Sequence, residues 1–398
     1  MTKDQKYCLI IGALPSSLVS FRGPLITALS AKGIKVCAAA NGRSSDTETK
    51  LLTMGAEYCP IRIARAGMNP LADLVTIFDL IRLMRRVKPD IVLNYTIKPV
   101  IYGGLVAKLC GIRNVFSMIE GLGSVFVPWE SKRQIFASII AKWLYRIGLI
   151  GSKRVFFLNP DDLNQFVKEG YVSRRKAVLL NGIGIDLVCY AKEGMPGLSR
   201  LKFLMIARLL KYKGVREYVA AAKIVKTRYP NAEFVLAGGL DENPSSIKQE
   251  ELDSWQHDGV VNYVGYVDDV RPLLRNCHIY VLPSFYREGT PRTVLEAMAT
   301  GRAIITTNAP GCRETVDKPI NESVGRIKED TDKLKIGRNG IIVPTKDIES
   351  LAIAMKFFFR HPEQIAIMGK ESRYYAEKRY DVHKVNAVVL NNMEIDLT

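Results

Sequence analysis

Two glutamates, Glu288 and Glu296, stand in the part of the sequence with the clearest chemical potential. They follow a predicted strand, His278–Leu282, and flank Pro291, which suits a first helical turn because its missing N–H needs no partner there. Carboxylates accept pairs of hydrogen bonds from vicinal hydroxyls, so the two could hold a hexose and a ribose. A capping glutamate beside a solvated helix glutamate would show the same spacing. The surrounding frame, LPS…EG…VLEAMA, makes the sugar-binding interpretation the stronger one.

Two cations form a second group, with Arg208 at the end of a predicted strand and Lys213 after a short loop. When a nucleotide diphosphate sugar loses its sugar, negative charge builds on the β-phosphate, and fixed cations would stabilise that charge. Such cations would take the place of the metal that an Asp-x-Asp site holds, and we find no such motif in a convincing loop. We therefore expect a metal-independent site without a cofactor. The alternative is a pair of surface cations.

Short apolar runs alternate with helical patterns, which predicts parallel sheets joined by right-handed βαβ units. The first series of predicted strands comprises Tyr7–Gly12, Lys35–Ala40, Ile91–Tyr95, Val115–Ile119 and Arg154–Leu158. The second series comprises Lys202–Ile206, Glu233–Ala237, Val261–Val264, His278–Leu282, Ala303–Thr307 and Gly340–Val343. Helices are predicted at Phe21–Gly33 and Leu71–Val87.

The length of 398 residues suits two domains of similar size. We place the first domain at residues 1–190, a Gly/Pro-containing linker at 191–200 and the second domain at 201–371. Ligands of doubly wound domains bind at the carboxyl ends of the strands, where both groups of candidate residues lie. We expect these ends of the two domains to face one another across a cleft.

The composition, 47% hydrophobic and 24% charged, is that of a folded, soluble protein. No charge-poor apolar stretch reaches the roughly 18–20 residues of a membrane span, and the N-terminal apolar run is too short for a secretory signal. These features predict a cytoplasmic protein. The seven cysteines are scattered without a CxxC pair, so we expect reduced, mostly buried thiols and no disulfide framework.

The positive charge is concentrated in the first half of the chain. Residues 1–200 carry 28 Lys and Arg against 14 Asp and Glu, whereas residues 201–398 carry 29 against 26. A basic half indicates an anionic partner, such as nucleic acid, anionic lipid or a diphosphate-bearing molecule. A basic solvated surface without a partner is the alternative.

Together these motifs resemble family 4 of the retaining glycosyltransferases, α/β proteins with the GT-B fold of two Rossmann-like doubly wound domains. The resemblance covers most of the chain, including ALPSSLVSFRGPL near the start, IEGLGSVF at 119–126, LLNGIGIDL at 179–187 and AGGLDENPSS at 237–246. The chain looks most like bacterial enzymes that add an α-1,3-linked N-acetylgalactosamine to a sugar on undecaprenyl diphosphate. The resemblance also implies that the last segment, residues 372–398, returns to the first domain.

The resemblance implies a UDP-sugar donor, UDP-GalNAc or UDP-GlcNAc, held mainly by the second domain. Arg208 and Lys213 would bind the diphosphate of this donor. Glu288 would be a catalytic residue that binds the sugar hydroxyls, and Glu296 would bind the ribose. Backbone groups would line the sugar and phosphate pocket at Gly289, Thr290 and Pro291.

Four further residues would complete the donor site. Gly265 and Tyr266 lie where the family shelters the base, and Gly12 and Ser16 belong to the first loop, which would approach the phosphate. Many family members have paired glycines in that first loop, and this chain does not. Many also have a histidine in the first domain, whereas the four histidines here all lie from residue 257 onward.

The first domain offers three candidates for the acceptor side. Glu120 stands at a strand end before glycines and is the second catalytic candidate, with a loop carboxylate that caps backbone N–H groups as the alternative. Lys98 and Arg22 are candidates for contact with an acceptor diphosphate, although any loop cation would look the same.

Residues 125–154 mix aromatic and aliphatic side chains with six Lys and Arg. Ile135, Ile139, Lys142 and Arg146 follow helical spacing, with Trp129, Trp143 and Tyr145 interleaved. Such a segment can lie on an anionic membrane surface. A core helix with a basic outer face is the competing interpretation. The basic first half favours a peripheral protein on the inner face of the cell membrane.

Three other classes of protein explain the sequence less well. An NAD-dependent oxidoreductase would have G-x-G-x-x-G after the first strand, and this chain reads IIGALPSS. A UDP-sugar epimerase with the GT-B fold is a better rival. A basic membrane-binding or nucleic-acid-binding non-enzyme would leave the two glutamates and two cations unexplained, and no nucleic-acid motif is present, so nucleic acid is not an expected partner. The sequence favours a retaining transferase that acts in bacterial polysaccharide assembly on a lipid-diphosphate-linked sugar.

Overall fold

The protein, a computed structural model, is described for residues 5–64, 67, 69–122, 132–241, 243, 245–318 and 334–395. It divides into two compact units, Met1–Ile183 with Val382–Thr398, and Gly184–Asp381. The boundary thus falls at Ile183 and not at residue 190, and residues 191–200 belong to the second unit. Residues 372–381 also remain in the second unit, so the return begins later than the predicted residue 372.

The first unit is built on a seven-stranded parallel sheet in the order β3-β2-β1-β4-β5-β6-β7. Its strands are β1 Tyr7–Ile11, β2 Lys35–Asn41, β3 Ala56–Ile61, β4 Ile91–Tyr95, β5 Asn114–Ile119, β6 Arg154–Phe157 and β7 Ala177–Leu179. The connecting helices are α1 Pro15–Ser20, α2 Gly23–Ala31, α3 Ser45–Thr53, α4 Pro70–Val87, α5 Gly104–Leu109, α6 Lys132–Leu149 and α7 Pro160–Lys168, with a π-helical turn at Pro99–Gly103. Apolar clusters cover both faces of the sheet, as expected for parallel strands.

The second unit repeats this order with a seven-stranded sheet, β10-β9-β8-β11-β12-β14-β13. Its strands are β8 Lys202–Ile206, β9 Glu233–Ala237, β10 Asn262–Tyr263, β11 Ile279–Leu282, β12 Ala303–Thr307, β13 Lys335–Ile336 and β14 Gly340–Val343, of which β13 alone runs antiparallel among the described strands. The helices are α8 Val215–Lys226, α9 Gln249–His257, α10 Arg271–Arg275, α11 Arg292–Thr300, α12 Ile348–Arg360 and α13 Glu363–Tyr375.

The last helix, α14 Val382–Asn392, belongs to the first unit. Val389 and Leu390 are buried in the same apolar cluster as Leu25 and Ile26 of α2. Lys153, just before β6, also forms an ion pair with Glu394 at 2.7 Å. The end of the chain is therefore part of the first unit's core.

Three strands were not predicted from the sequence. β3 contains Pro60, which a sheet tolerates at its edge, and β3 is indeed an edge strand. β7 and β13 are only three and two residues long and carry little periodicity. The predicted helix Phe21–Gly33 is α2, which begins at Gly23 after the separate helix α1.

Two of the seven cysteines are not the free thiols that the sequence predicts. Cys37 of β2 and Cys59 of β3 are joined by a disulfide between neighbouring strands, so the expectation that all cysteines are free thiols is wrong for these two. The remaining five are free, and burial raises the pKa of Cys8 and Cys277 to about 12. Among the described residues, no helix is long and apolar enough to cross a bilayer.

Helix α6 is held against the π-helical turn by close backbone contact. A Cβ atom on Gly148 would lie 2.6 Å from the Cα of Ile101, and one on Gly104 would lie 2.1 Å from the carbonyl oxygen of Gly148. Glycines at both positions therefore let the two segments touch, and they set the distance of α6 from the sheet.

Replacing Gly148 with alanine tests this contact. Alanine is more favourable than glycine inside a helix by about 1 kcal/mol. However, the clash of its Cβ with the backbone atoms of Ile101 cannot be relieved by a rotamer change. We expect a net loss of about 1–3 kcal/mol of stability in the first unit, measured by hydrogen exchange of its core amides. Gly194→Ala is the control, because a Cβ there meets nothing within 4 Å. Equal stability of the two variants would contradict the proposed contact.

Candidate active-site residues at the carboxyl edges of the two sheets

The strand order of the second unit reverses between β8 and β11, and the loops after these strands carry an ion pair. Lys213 Nζ lies 2.5 Å from Glu288 Oε1, and both side chains are largely buried. Ser284 donates a hydrogen bond of 2.9 Å to the same carboxylate oxygen. The predicted diphosphate-binding cation and the predicted sugar-binding carboxylate are therefore in direct contact, at the position where doubly wound sheets bind ligands.

A glycine brings these two loops together. Gly214 has a φ of +79°, and a Cβ there would lie 2.2 Å from the carbonyl oxygen of Pro283. Tyr212 adds two contacts across the same gap, since its carbonyl oxygen accepts hydrogen bonds from Phe285 N at 3.0 Å and Ser284 Oγ at 3.2 Å. The ion pair thus rests on backbone contact between the two loops.

The second predicted cation, Arg208, lies just after β8 and forms an ion pair with Asp241 at 2.9 Å. Its side chain is more exposed than that of Lys213. Asp241 is fixed in turn by the backbone N–H of Asn243, which donates to its Oδ1 at 3.0 Å. The local sequence pattern around Asp241 predicts no role for this residue, because its partner Arg208 lies 33 positions away.

The predicted base-binding residues lie further along the same edge. Gly238 donates a hydrogen bond of 2.8 Å to the carbonyl of Gly265, which has a φ of +75°. Tyr266 is 75% exposed, and its ring lies beside Gly239, where a Cβ would be 3.7 Å from the ring. Leu209 N also bonds to the carbonyl of Gly239 at 3.1 Å, which links this end of the edge to the loop of Arg208.

The candidate residues therefore occur in a fixed order along the carboxyl edge of one sheet. An exposed aromatic ring follows β10, an Asp–Arg pair joins the loops after β9 and β8, and a Lys–Glu pair joins the loops after β8 and β11. Neighbouring strands are about 4.8 Å apart, so the row spans roughly 14 Å. This arrangement can hold an elongated ligand with a ring, an anionic centre and hydroxyl groups in that order.

Glu296 has a different environment from Glu288. It lies in α11, is only 5% exposed, and accepts hydrogen bonds from Arg292 Nε at 2.8 Å and Tyr190 Oη at 2.9 Å. Burial raises the pKa of this carboxyl group, although Arg292 and Tyr190 oppose the shift. Its predicted contact with a ribose stays a prediction, and Tyr190 is a partner that the sequence did not reveal.

The loop between the two glutamates is packed against the next strand's loop. A Cβ on Gly311 would lie 2.5 Å from the carbonyl oxygens of both Glu288 and Gly289. Thr290 is buried, and Pro291 is the N-cap of α11, one residue before the helical position that the sequence predicts. The backbone of residues 289–291 is thus held firmly at the amino end of a helix.

The first unit also carries an ion pair at the carboxyl edge of its sheet, near the point where the strand order reverses between β1 and β4. Arg22, at the start of α2, donates a hydrogen bond to Glu120, which follows β5. The guanidinium also lies over the ring of Tyr95 at 4.6 Å. Two residues that were predicted separately, one as catalytic and one as acceptor-binding, are therefore in contact.

Gly12 and Ser16 belong to the loop and helix after β1. A Cβ on Gly12 would lie 2.3 Å from Cζ of Tyr95, so packing against this ring requires glycine there. Ser16 is exposed on α1, whereas Ser17 is buried and lies 2.8 Å from the hydroxyl of Tyr95. Burial raises the pKa of Tyr95 to about 12. The predicted phosphate contacts of Gly12 and Ser16 stay predictions.

Lys98 is buried and its Nζ lies 2.7 Å from Asp73, in the first turn of α4. Burial and a hydrogen bond to the same aspartate raise the pKa of Tyr102. Lys98 is therefore a neutralised part of the interior in this arrangement, and its contact with an acceptor stays a prediction.

The first unit contains buried polar side chains that the sequence pattern did not predict as functional. Asn94, at the carboxyl end of β4, is fully buried, and neither atom of its amide has a hydrogen-bond partner among the described residues. The same holds for the hydroxyl oxygen of Thr96, a residue with a φ of +67°. Buried polar atoms without partners are uncommon and often mark functional sites. The sequence pattern gave only the position of the strand end.

Two family models match this chain. The model described as "Glycosyl transferase 4-like" matches residues 12–155, and the model described as "Glycosyl transferases group 1" matches residues 200–361. A fold with the same architecture occurs in Anabaena HepE, solved in complex with UDP and glucose, at a TM-score of 0.74 and 14% identity over 98% of this chain and 100% of that one.

Two curated bacterial relatives match at higher identity. The N,N'-diacetylbacillosaminyl-diphospho-undecaprenol alpha-1,3-N-acetylgalactosaminyltransferase of Campylobacter jejuni is 30% identical over 81% of this chain and 89% of its own length. The UDP-Gal:alpha-D-GlcNAc-diphosphoundecaprenol alpha-1,3-galactosyltransferase of Escherichia coli is 27% identical over 62% of this chain and 64% of its own. With two Rossmann-like units, matches to both family models and these relatives, the chain belongs to the group 1 glycosyltransferases and is a glycosyltransferase of the GT-B fold.

Proposed function

We propose that this glycosyltransferase moves an N-acetylhexosamine, with N-acetylgalactosamine favoured, from a UDP-sugar to a sugar on undecaprenyl diphosphate, with retention of configuration. The observation that carries the proposal is the order of groups along the carboxyl edge of the second sheet: Tyr266, then Arg208, then Lys213 with Glu288. A UDP-sugar presents a base, a diphosphate and a hexose in the same order. Support for the lipid-linked acceptor and the GalNAc donor comes from the Campylobacter relative, and support for UDP from the Escherichia relative.

In the proposed reaction the bond between the anomeric carbon and the β-phosphate oxygen breaks, and UDP leaves. The acceptor hydroxyl oxygen forms the new bond on the same face of the sugar, and a phosphate oxygen of the leaving group takes its proton. Arg208 and Lys213 stabilise the charge that develops on the diphosphate, and Glu288 holds the sugar hydroxyls. Because Glu288 already holds Lys213 in place, and Ser284 in turn holds the Glu288 carboxylate, the cation needs little rearrangement to meet that charge.

The first test measures transfer from a panel of UDP-sugars to a synthetic undecaprenyl-diphosphate N-acetylhexosamine by mass spectrometry. We expect one added N-acetylhexosamine, with no loss of activity when a chelator is present. Glu288→Gln and Arg208→Ala are each expected to lower kcat/KM by roughly 10²–10³-fold, because each removes a charge from the proposed site.

The exposed Arg360 at the end of α12 provides the matched control, since Arg360→Ala removes an arginine of the same unit away from the carboxyl edge. Equal activity in all three variants would contradict the proposed site. UDP-sugar isomerisation without any transfer would contradict the proposed reaction and favour an epimerase.

The exposed ring of Tyr266 gives a separate prediction about the base. If uracil stacks on it, Tyr266→Ala should weaken UDP binding by about 1–2 kcal/mol, roughly 5- to 30-fold, whereas Tyr266→Phe keeps the ring and should bind normally. Calorimetric titration with UDP measures the difference. Unchanged UDP affinity in Tyr266→Ala would remove this residue from the donor site.

We further propose that α6 rests on an anionic membrane surface, where the acceptor is anchored. Tyr145 and Leu149 face the core, while Phe136, Ile139 and Trp143 are exposed, Trp143 at 62%. This outer face carries large apolar side chains together with the exposed Arg146, and Lys142 lies half-buried in the same helix. Helix α4 packs on the same face of the sheet and adds a second exposed apolar stripe, Leu71, Leu74 and Phe78. Residues 125–131, with Trp129, lie outside the described residues.

Substituting the apolar face tests this contact. Ile139→Ser with Trp143→Ser should reduce flotation with vesicles that contain anionic lipid, because each buried apolar side chain contributes about 1.5–3 kcal/mol. Ile367→Ser with Tyr374→Ser, on exposed positions of α13, provides a matched control. Flotation that is independent of salt and anionic lipid, or equal in both double variants, would contradict the proposed membrane contact.

A further inference from the structure

The first unit has a strongly basic cavity at the amino edge of its sheet, opposite the edge that carries Arg22 and Glu120. This amino-edge cavity has a volume of about 700 Å³ and lies where β5, β6 and β7 begin. Five of its nine described lining residues are cations, and none is acidic; the cations are Arg113, Lys153, Arg154, Arg175 and Lys176.

The positive charge of the amino-edge cavity is only partly compensated. Lys153 pairs with Glu394, which lies outside the lining, and Lys176 donates a hydrogen bond to the carbonyl of Ile150 at 3.1 Å. Burial lowers the pKa of Lys176, and repulsion from Arg175 and Lys108 adds to the shift. Lys108 also lies close to this cavity, because a Cβ on Gly151 would lie 3.2 Å from the Cβ of Lys108. The charges here repel one another and would be stabilised by an anion.

Two exposed aliphatic side chains lie next in sequence to residues at or near the cavity. Ile150 and Leu109, which adjoin Gly151 and Lys108 in sequence, are both more than half exposed. A site for a free anion or a nucleic acid has no need of exposed aliphatic side chains. A site for a phospholipid needs such side chains, because the phosphate of the headgroup and the acyl chains of the lipid must be bound side by side.

Helix α6 connects this cavity to the other edge of the sheet. It begins after β5 ends, at the carboxyl edge, and it ends before β6 begins, at the amino edge. Its 18 residues span about 27 Å. A membrane that lies along the apolar face of α6 therefore extends from the edge with Arg22 and Glu120 to the basic cavity.

We propose that the amino-edge cavity binds the phosphate of an anionic phospholipid headgroup, and that it forms a second membrane contact at the far end of α6. Two contacts separated by the length of a helix define the tilt of the first unit on the bilayer, which one contact cannot do. The inference rests on the proposed membrane-linked acceptor, but its test does not depend on catalysis.

The experiment compares two double variants that each remove two exposed cations. Arg113→Gln with Arg175→Gln acts on the cavity, and Arg360→Gln with Lys370→Gln removes the same charge from the second unit. Binding is measured by co-sedimentation with phosphatidylcholine vesicles with and without phosphatidylglycerol. We expect the cavity variant to bind the anionic vesicles about 10- to 30-fold more weakly than wild type, and the control to stay within about threefold.

Equal weakening in both double variants would mean that only the overall charge matters, and would overturn the proposal. A parallel calorimetric titration with inorganic phosphate distinguishes the other source of the same chemistry. If the cavity variant loses phosphate binding while its vesicle affinity matches the control, the ligand is a free anion and the headgroup assignment is wrong.

Transfer to a short-chain, water-soluble acceptor separates this inference from the proposed reaction. The cavity variant should transfer to that acceptor at the wild-type rate and should be slower only with an acceptor embedded in anionic vesicles. Slower transfer to both acceptors would contradict a membrane role. A wild-type protein without transferase activity would refute the proposed function, while the vesicle measurement would still decide the cavity's role.

Discussion

The contact between Gly214 and Pro283 is the constraint on which the donor-side arrangement depends. It brings the loop after β8 so close to the loop after β11 that no side chain fits between them. This separation lets Lys213 reach Glu288, whose carboxylate also accepts a hydrogen bond from Ser284. A partly buried ion pair brings little net stability by itself, because desolvation offsets much of the Coulomb attraction. Its geometry therefore has to be imposed by the backbone, and the left-handed conformation of Gly214 allows this.

The first unit uses the same device with different residues. Gly12 follows β1 as Gly214 follows the loop after β8, and the space for its Cβ is taken by Tyr95 from β4. The ring of Tyr95 in turn supports Arg22, which pairs with Glu120. Both sheets thus have a glycine without room for a side chain near the point where their strand order reverses. In the second unit this glycine adjoins Lys213 in sequence, and in the first unit the ring of Tyr95 lies between the glycine and Arg22. The repeated architecture produces two polar sites from one topological rule.

The sequence predicted most of the buried strands and the positions of the candidate residues, but not their partners. Long apolar runs such as β4 and β8 are recognisable because both of their faces are buried. Strand ends located Arg208, Glu288 and Glu120. Ion-pair partners could not be found in this way, since Arg22 and Glu120 are 98 positions apart and Lys213 and Glu288 are 75 apart. Their contact is a product of strand order, which local patterns do not encode.

The same limit explains why Lys98 and Arg208 looked alike in sequence. Each is a lysine or arginine shortly after a buried strand, yet Lys98 is buried against Asp73 and Arg208 is substantially exposed beside Asp241. The difference arises because Asp73, in the first turn of α4, lies against a buried Lys98, whereas Asp241 lies in the loop after β9 and leaves the guanidinium accessible. A new anion can approach the exposed side chain of Arg208 directly, whereas Lys98 is enclosed with Asp73. Electrostatic stabilisation of a leaving diphosphate is therefore better supported for Arg208 than diphosphate binding is for Lys98.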